Sequence, residues 1–502
     1  MKKIIYLFLG LLFSSTLSAN NLQITNVSTV NQNEAGGYTY VNFDISWDNS
    51  WHDGGNWDAA WVFIKVKSAN QSTWQHAALG SANADHTAPV GAAIDVPFDG
   101  SGKGVYIFRS VLGSGRNNFQ NVQLRWYYQQ NGLISTAYVD IKVLGIEMVY
   151  VPQGPFYAGD GTSIPANFRG QFSVTGSIAP FNITSENAIT LGGSNPAAMQ
   201  NHNLISDDFS SSTSQILPPS YPKGFNAFYC MKYPITQEQY VDFLNMLTLS
   251  QQAPRIGNTE IFSGFTDKVF AMSNLTPNGL GAPWNNGIKC PNVIDLITTQ
   301  SIKFYCDFND NGVPNEEGDG QNIACNLLLY RDIAAYADWA CMRPISELEY
   351  EKACRGPVPP VVGEYAWGNA DFESASGVYN EGRSDETPIN GNSTGTPSHP
   401  YRVGSFAKSN STRFSSGASF YGIMNLSDAT DYVINIGTAL GRAFSNISGD
   451  GVLGTEANVN TWPTTLGSGF KGSIYSVSDR SNTNTPDGTR RSERYGRLVR
   501  TP

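Results

Sequence analysis

Residues 330–356 read YRDIAAYADWACMRPISELEYEKACRG, and the fold of most of the chain turns on them. Ser346 followed by Glu349 is a capping box, in which the Ser hydroxyl takes the backbone N–H three residues on and the Glu carboxylate reaches back, so a helix starts here. Gly356 followed by Pro357 is the matching stop signal. RDIAAYADWA predicts a second helix just before it. Upstream, TQEQYVDFLNML (236–247) predicts a third, with Thr236 and Gln239 forming the same box and Tyr240, Phe243, Leu244 and Leu247 at helical spacing. These short helices lie in long connections rich in Gly, Asn and Ser. That texture predicts a large, mostly irregular domain rather than a bundle, and no repeat of solenoid period interrupts it.

The first part of the chain reads differently. From Asn20 to about Leu144, Val41, Phe43, Ile45 and Trp47 alternate with Asn42, Asp44 and Ser46, as do Val122, Leu124 and Trp126, and Val139, Ile141 and Val143. Turn clusters such as DGSGKG and GSGRNN separate these runs, which predicts a β-sandwich of roughly immunoglobulin size without its Cys pair. The stretch WHDGGNWDAAWVFIKVK carries three tryptophans. They could form a carbohydrate platform, but packing in the core and at the sandwich edge is the favoured reading, because aromatics are core residues first.

MKKIIYLFLGLLFSSTLSA has the layout of a secretory signal peptide, with two lysines, an apolar run and a small-residue end at Ala19. The expected organisation is therefore a signal peptide (1–19), a β-sandwich (20–145) and a second domain (146–502). The expected location is outside the cytoplasm: periplasm, outer cell surface or medium. No later segment is apolar for long enough to span a bilayer, so an integral membrane protein is not expected. The net charge is −10, and loss of Lys2 and Lys3 makes it more acidic, which argues against a nucleic-acid partner and leaves a protein or glycan at the cell surface. All six cysteines lie between Cys230 and Cys354. In an exported chain an even count favours disulfides, and Cys306 with Cys325 is the first expected pair because it would close a polar loop.

Several segments together resemble the sulfatase-modifying, formylglycine-generating enzyme family: MVYVPQGPFYAGD (148–160), FYCMKYPITQEQYVDFLN (228–245), YRDIAAYADWACMRPISELEYEKACRG (330–356), YAWGN (365–369), FYGIMNLSD (420–428) and GRLVR (496–500). The resemblance covers about residues 147–502. It implies an α+β chain: an N-terminal β-sandwich followed by a largely irregular formylglycine-generating-enzyme-like domain, a variant of the C-type-lectin fold that often binds calcium. The family includes oxidases that make formylglycine from a sulfatase cysteine, iron enzymes, lectin-like receptors and non-catalytic gliding-motility lipoproteins of Bacteroidetes. Its oxidases need a cysteine pair near the C-terminal end, where a thiolate pair binds copper. The corresponding stretch here, FKGSIYSVSDRSNTNTPDGTRRSERYGRLVR, has no cysteine. The iron branch needs clustered histidines, and only His202 and His399 of the five lie in this region. The resemblance thus implies a Bacteroidetes-type member without the catalytic pair. Asp428 and Ala429 stand where the family has a Gly-Asn calcium segment, with Asp428 and Asp431 as nearby oxygens.

CDFNDNGVPNEEGDGQNIAC (306–325) offers oxygen donors at alternate positions followed by Gly312, the first half of an EF-hand-type or dockerin-type calcium loop. The expected ligand set is Asp307, Asn309, Asn311, Val313 and Asp319. The bland reading is a polar turn, since Asn and Asp populate ordinary turns. A calcium ion here would be structural. The expected function is an exported, non-catalytic binding or scaffold protein. Two alternatives stand beside it: altered chemistry in a pocket lined by Tyr475, Asp479, Arg480, Arg490 and Arg491, and a lectin-like receptor using the same Tyr-, Asn- and Arg-rich segment.

Overall fold

A computed structural model of the chain describes residues 21–162, 171–202, 207–263, 270–273, 283–291, 294, 296, 301–395, 400–428, 430–464, 466–472, 475–480 and 489–502. The expected signal peptide, His399, Ala429 and part of the C-terminal polar segment lie outside the described residues.

The N-terminal region is mostly strand, with two single 3-10 turns: β1 (Gln23–Asn33), β2 (Tyr38–His52), β3 (Asp58–Ser68), β4 (Ala92–Asp95), β5 (Val105–Arg109), β6 (Gly113–Trp126) and β7 (Val139–Val151). The elements that matter downstream are β8 (Phe228–Met231), α1 (Gln237–Asn245), α2 (Tyr330–Trp339), β9 (Arg343–Pro344), α3 (Glu347–Arg355), β10 (Thr430–Ile434) and β11 (Leu498–Arg500). The capping boxes at Thr236 and Ser346 are formed, and Gly356 ends α3 with φ 73°.

β1, β2 and β6 form one sheet. The second runs β9-β11-β8-β7-β3-β5-β4, with the short strand Gln75–His76 also paired on β3. It therefore belongs to both parts of the chain. β7 passes through residue 145 without a break, pairing along β3 (Trp61 opposite Ile146) and continuing onto β8 (Met148 opposite Met231).

Alternation along β3 explains how this sheet is held. Ala60, Val62, Ile64 and Val66 point into the sandwich core with Val41, Phe43, Ile45 and Trp47 of β2 and Val122, Leu124 and Trp126 of β6. Ala59, Trp61 and Phe63 point the other way, into a core shared with Ile146, Tyr240, Phe243, Ile333, Tyr336 and Trp339. A strand buried on both faces reads as a continuous apolar run, and AAWVFI is that run. The tryptophans do packing work: Trp61 is fully buried and donates Nε1–H to the Ala340 carbonyl (2.9 Å), and Trp57 stacks on Tyr150 at 3.9 Å.

One buried charge cluster joins the two regions. The Lys232 ammonium donates to Asp58 (3.0 Å) and Glu147 (3.2 Å), and Asp58 also accepts from Trp47 Nε1, Ser50 Oγ and the Trp51 amide. Asp58 is fully satisfied, whereas Glu147 Oε1 has no partner. Burial accordingly pushes the Glu147 carboxyl from 4.5 up to about 7, even with Lys232 beside it.

Truncating Trp61 to Ala removes a large side chain from the interface of the two regions, and a loss of about 3–5 kcal/mol is expected. Denaturant unfolding followed by fluorescence and by far-UV circular dichroism should show both regions melting earlier together; an unchanged second-domain transition contradicts the shared core. Because the Glu147 carboxyl binds its proton more tightly in the fold, its contribution is fully present below about pH 4.5 and is lost as pH rises towards 7. Glu147→Gln should flatten the stability-versus-pH curve across that window, measured by thermal unfolding from pH 4.5 to 8.

Candidate functional site

The signature segment places five charged side chains of α3 in the interior, each with a partner; Lys352 bonds the Phe225 carbonyl (3.2 Å) and the other four form ion pairs. Glu347 accepts from Arg480 Nε (2.9 Å) and Nη2 (3.0 Å) and from the Ile436 amide (2.7 Å). Glu349 takes a bidentate pair from Arg343 at 2.8 and 2.6 Å while its capping-box bond fixes the helix start. Against the penalty of burial, Lys471 (2.8 Å) and Arg355 (3.2 Å) hold the Glu351 carboxyl below its ordinary value. β10 and β11 are tied in the same way, since Arg497 bonds Asp431 (2.9 Å) and the carbonyls of Met231 and Met424. With both partners buried, these groups orient irregular backbone.

The five residues expected to line a pocket are dispersed. Arg480 is fully buried over the Phe172 ring and pairs with Asp207 (2.8 Å) as well as Glu347. Arg490 belongs to a different network, with Asp332 (2.5 Å) and the Leu327 carbonyl (2.8 Å). Asp479 is buried and accepts from the Ser476 amide (3.1 Å), Tyr475 is half-buried, and Arg491 is exposed with Glu493 at 3.8 Å. Arg480 and Arg490 therefore serve two separate carboxylate sets and do not converge.

The Asp307 loop is built by side chain–backbone bonds. Asp307 Oδ1 and Asn309 Oδ1 both accept from the Asn311 amide (3.1 and 3.0 Å), Asp307 Oδ2 accepts from the Gly312 amide (3.2 Å), and Asn311 Oδ1 accepts from the Val313 amide (2.8 Å). Gly312, at φ 81°, makes the reversal that a Cβ would strain. The Lys289 ammonium sits on Asp307 (2.8 Å) and supplies its counter-charge. Asp319 closes the loop: Oδ2 accepts from the Glu316 amide (2.7 Å), and Oδ1 is buried with no partner. Burial, and beyond it the Asp307 and Glu316 charges, push the Asp319 carboxyl up. An orphaned buried carboxylate oxygen beside amide and carboxylate oxygens is a donor set suited to a hard cation such as calcium. Among the described residues no group of three His, Cys, Asp or Glu side chains could hold a metal, so any ion here would depend on the Asn oxygens.

The expected Cys306–Cys325 disulfide is not formed, and all six cysteines are free and buried. Cys306 lies in the two-residue strand Tyr305–Cys306, paired with Ile288, while the Cys325 amide is bonded to the Ile235 carbonyl and its sulfur to Asn326 O and Asn286 Nδ2. Both thiols fill the main apolar core, where cysteine packs as a small hydrophobe, and the loop is closed by hydrogen bonds instead. Burial raises every thiol: Cys230 and Cys290 to about 12, Cys341 to about 11, and Cys306, Cys325 and Cys354 upward as well.

Sequence spacing gives no sign of a cavity of about 640 Å³ at the junction of the two regions, because its walls come from segments as distant as Lys65, Trp74, Lys103, Gln130, Gln251 and Leu453. Only the pairing of the N-terminal sheet with the second domain brings them together.

Fold and site together define a mixed α+β domain of short elements, clamped around one helix by buried ion pairs and fused through its sheet to a β-sandwich. The model of the Sulfatase-modifying factor enzyme 1-like domain matches residues 142–427, more than half of the chain, and the chain belongs to that family. No curated protein matches the chain. Among the described residues no helix is long and apolar enough to cross a membrane.

With every thiol buried and protonated, the native protein should react with an aromatic disulfide reagent at none of its six cysteines within minutes, and at all six after unfolding without reductant. Fewer than six in the unfolded, unreduced chain contradicts the free-thiol arrangement.

Proposed function

We propose that this protein is an exported, non-catalytic binding or scaffold protein of the cell envelope or surface, built on its sulfatase-modifying-factor-like domain and carrying a structural calcium ion. The observation that supports the non-catalytic reading best is the state of the thiols. Oxidation of a substrate cysteine through copper needs accessible thiolates, and here burial raises all six thiols while the C-terminal stretch contains none. The carboxylates of the signature helix are likewise engaged in ion pairs that build the fold. The N-terminal apolar stretch supports export.

Calcium at the Asp307 loop is supported by the alternating oxygens and the orphaned Asp319 Oδ1. Asp307, Asn309, Asn311 and Asp319 would hold the ion with Val313. Its role would be to fix an irregular insertion, since a redox-inactive ion that binds only the folded state stabilises it by about 2.7 kcal/mol at a hundredfold excess over Kd.

Metal analysis of the purified protein should give one calcium per chain, and a chelator should lower Tm by several degrees in the wild type but not in Asp319→Asn. The same preparation, loaded with copper, should not oxidise a cysteine-containing sulfatase-type peptide. Turnover of that peptide, or copper or iron at full occupancy as purified, overturns the non-catalytic reading.

A further inference from the structure

The junction cavity is unusual in its charge. Lys65 lies on its wall, is 1% exposed, and donates only to the carbonyls of Trp339 (2.7 Å) and Gly451 (3.1 Å). Its ammonium also lies near the Trp339 ring (4.9 Å) and the Phe63 ring. Lys103, also on the wall, makes no ion pair among the described residues. Among the described residues no Asp or Glu lines the cavity, although the whole chain carries a net charge of −10. The acids whose charge reaches Lys65, Asp338 and Asp450, are engaged: Asp338 accepts from the Asp450 and Asn458 amides, and Asp450 accepts from the Val452 amide. His76 adds no charge, because burial, then Lys65, holds its imidazole well below the ordinary value. Two lysines lining one solvent-open cavity with no carboxylate among its described lining residues leave positive charge there, and an anion entering from solvent offsets it. Burial lowers the Lys65 ammonium to about 8.

The rest of the wall specifies what carries the anion. Gln75, Gln130, Asn131, Thr73, Thr248 and Gln251 surround the lysines with amides and hydroxyls. Thr73 and Gln130 are exposed at the rim, and Trp74 adds a half-buried indole. Neutral donors and acceptors with an aromatic face match vicinal hydroxyls and the C–H faces of a sugar ring better than a lipid tail or a flexible peptide.

We infer that the cavity between the β-sandwich and the second domain is a binding site for an acidic saccharide, whose carboxylate or sulfate meets Lys65 and Lys103 while its hydroxyls meet the surrounding amides and hydroxyls. The inference rests on the binding reading given above and names its ligand class. It uses both regions of the chain, so neither forms the site alone.

Isothermal titration of the full chain tests it with four probes: tetragalacturonate, a sulfated tetrasaccharide, neutral maltotetraose and tetraglutamate. Binding of at least one acidic saccharide, about tenfold or more tighter than either maltotetraose or tetraglutamate and weakened by salt, is the expected result. Lys103→Ala should weaken it about tenfold and Lys103→Glu abolish it, with Tm unchanged because Lys103 has no ion-pair partner to lose. Equal binding of maltotetraose or tetraglutamate, equally tight binding of inorganic sulfate alone, no binding of either acidic saccharide at millimolar concentration, or indifference to Lys103 overturns it. These measurements read binding only, so their failure leaves the outcome of the copper-loaded oxidation assay untouched.

Discussion

Strands β3 and β7 send alternate side chains into two different cores, and that single constraint organises the molecule. A strand with water on one face tolerates polar residues every second position; one with protein on both faces does not. The consequence is that the sandwich cannot present Trp61, Phe63 and Ile146 to solvent without a penalty of several kcal/mol in lost burial. The second domain is the cover for that face. Lys232 reaching Asp58 and Glu147, and Arg500 passing over the Trp61 ring, add polar links along the same seam.

The second domain has little regular structure to hold it, and buried arginines replace what sheets and helices would supply. Arg355, Arg480 and Arg497 are each almost fully enclosed and each binds a carboxylate or carbonyl from a distant segment, while the equally buried Arg343 binds Glu349 six residues on. Planar guanidinium groups suit this work because their several donors satisfy irregular backbone and carboxylates together. The family signature around α3 is therefore, in this chain, chiefly a device for building the fold. At Glu347 and Glu349 both carboxylate oxygens are paired with a guanidinium. Asp319 Oδ1, by contrast, is buried without a partner.

Sequence alone determined what depends on neighbours along the chain. The capping boxes at Thr236 and Ser346, the stop at Gly356 and the alternation in β2, β6 and β7 are set by contacts within a few residues, and all were legible. So was the family, because the signature segments occur in order, and so was the core role of Trp61. The turn bonds among Asp307, Asn309, Asn311 and Val313 follow from the same local spacing.

Tertiary structure decided the rest, because it depends on which distant segments share a space. The six cysteines looked like disulfide partners from compartment and count, but packing placed each thiol among apolar side chains. Arg480 and Arg490 are ten residues apart in sequence, yet their partners, Glu347 and Asp332, lie in different helices and draw them into separate networks. The junction cavity has no local signature at all, since its lysines come from β3 and from the loop before β5, and its far wall from residues beyond 450. Hydrogen bonds and periodicity act over a turn or a strand and can be read from spacing; burial and charge balance are properties of the assembled whole, and only the fold sets them.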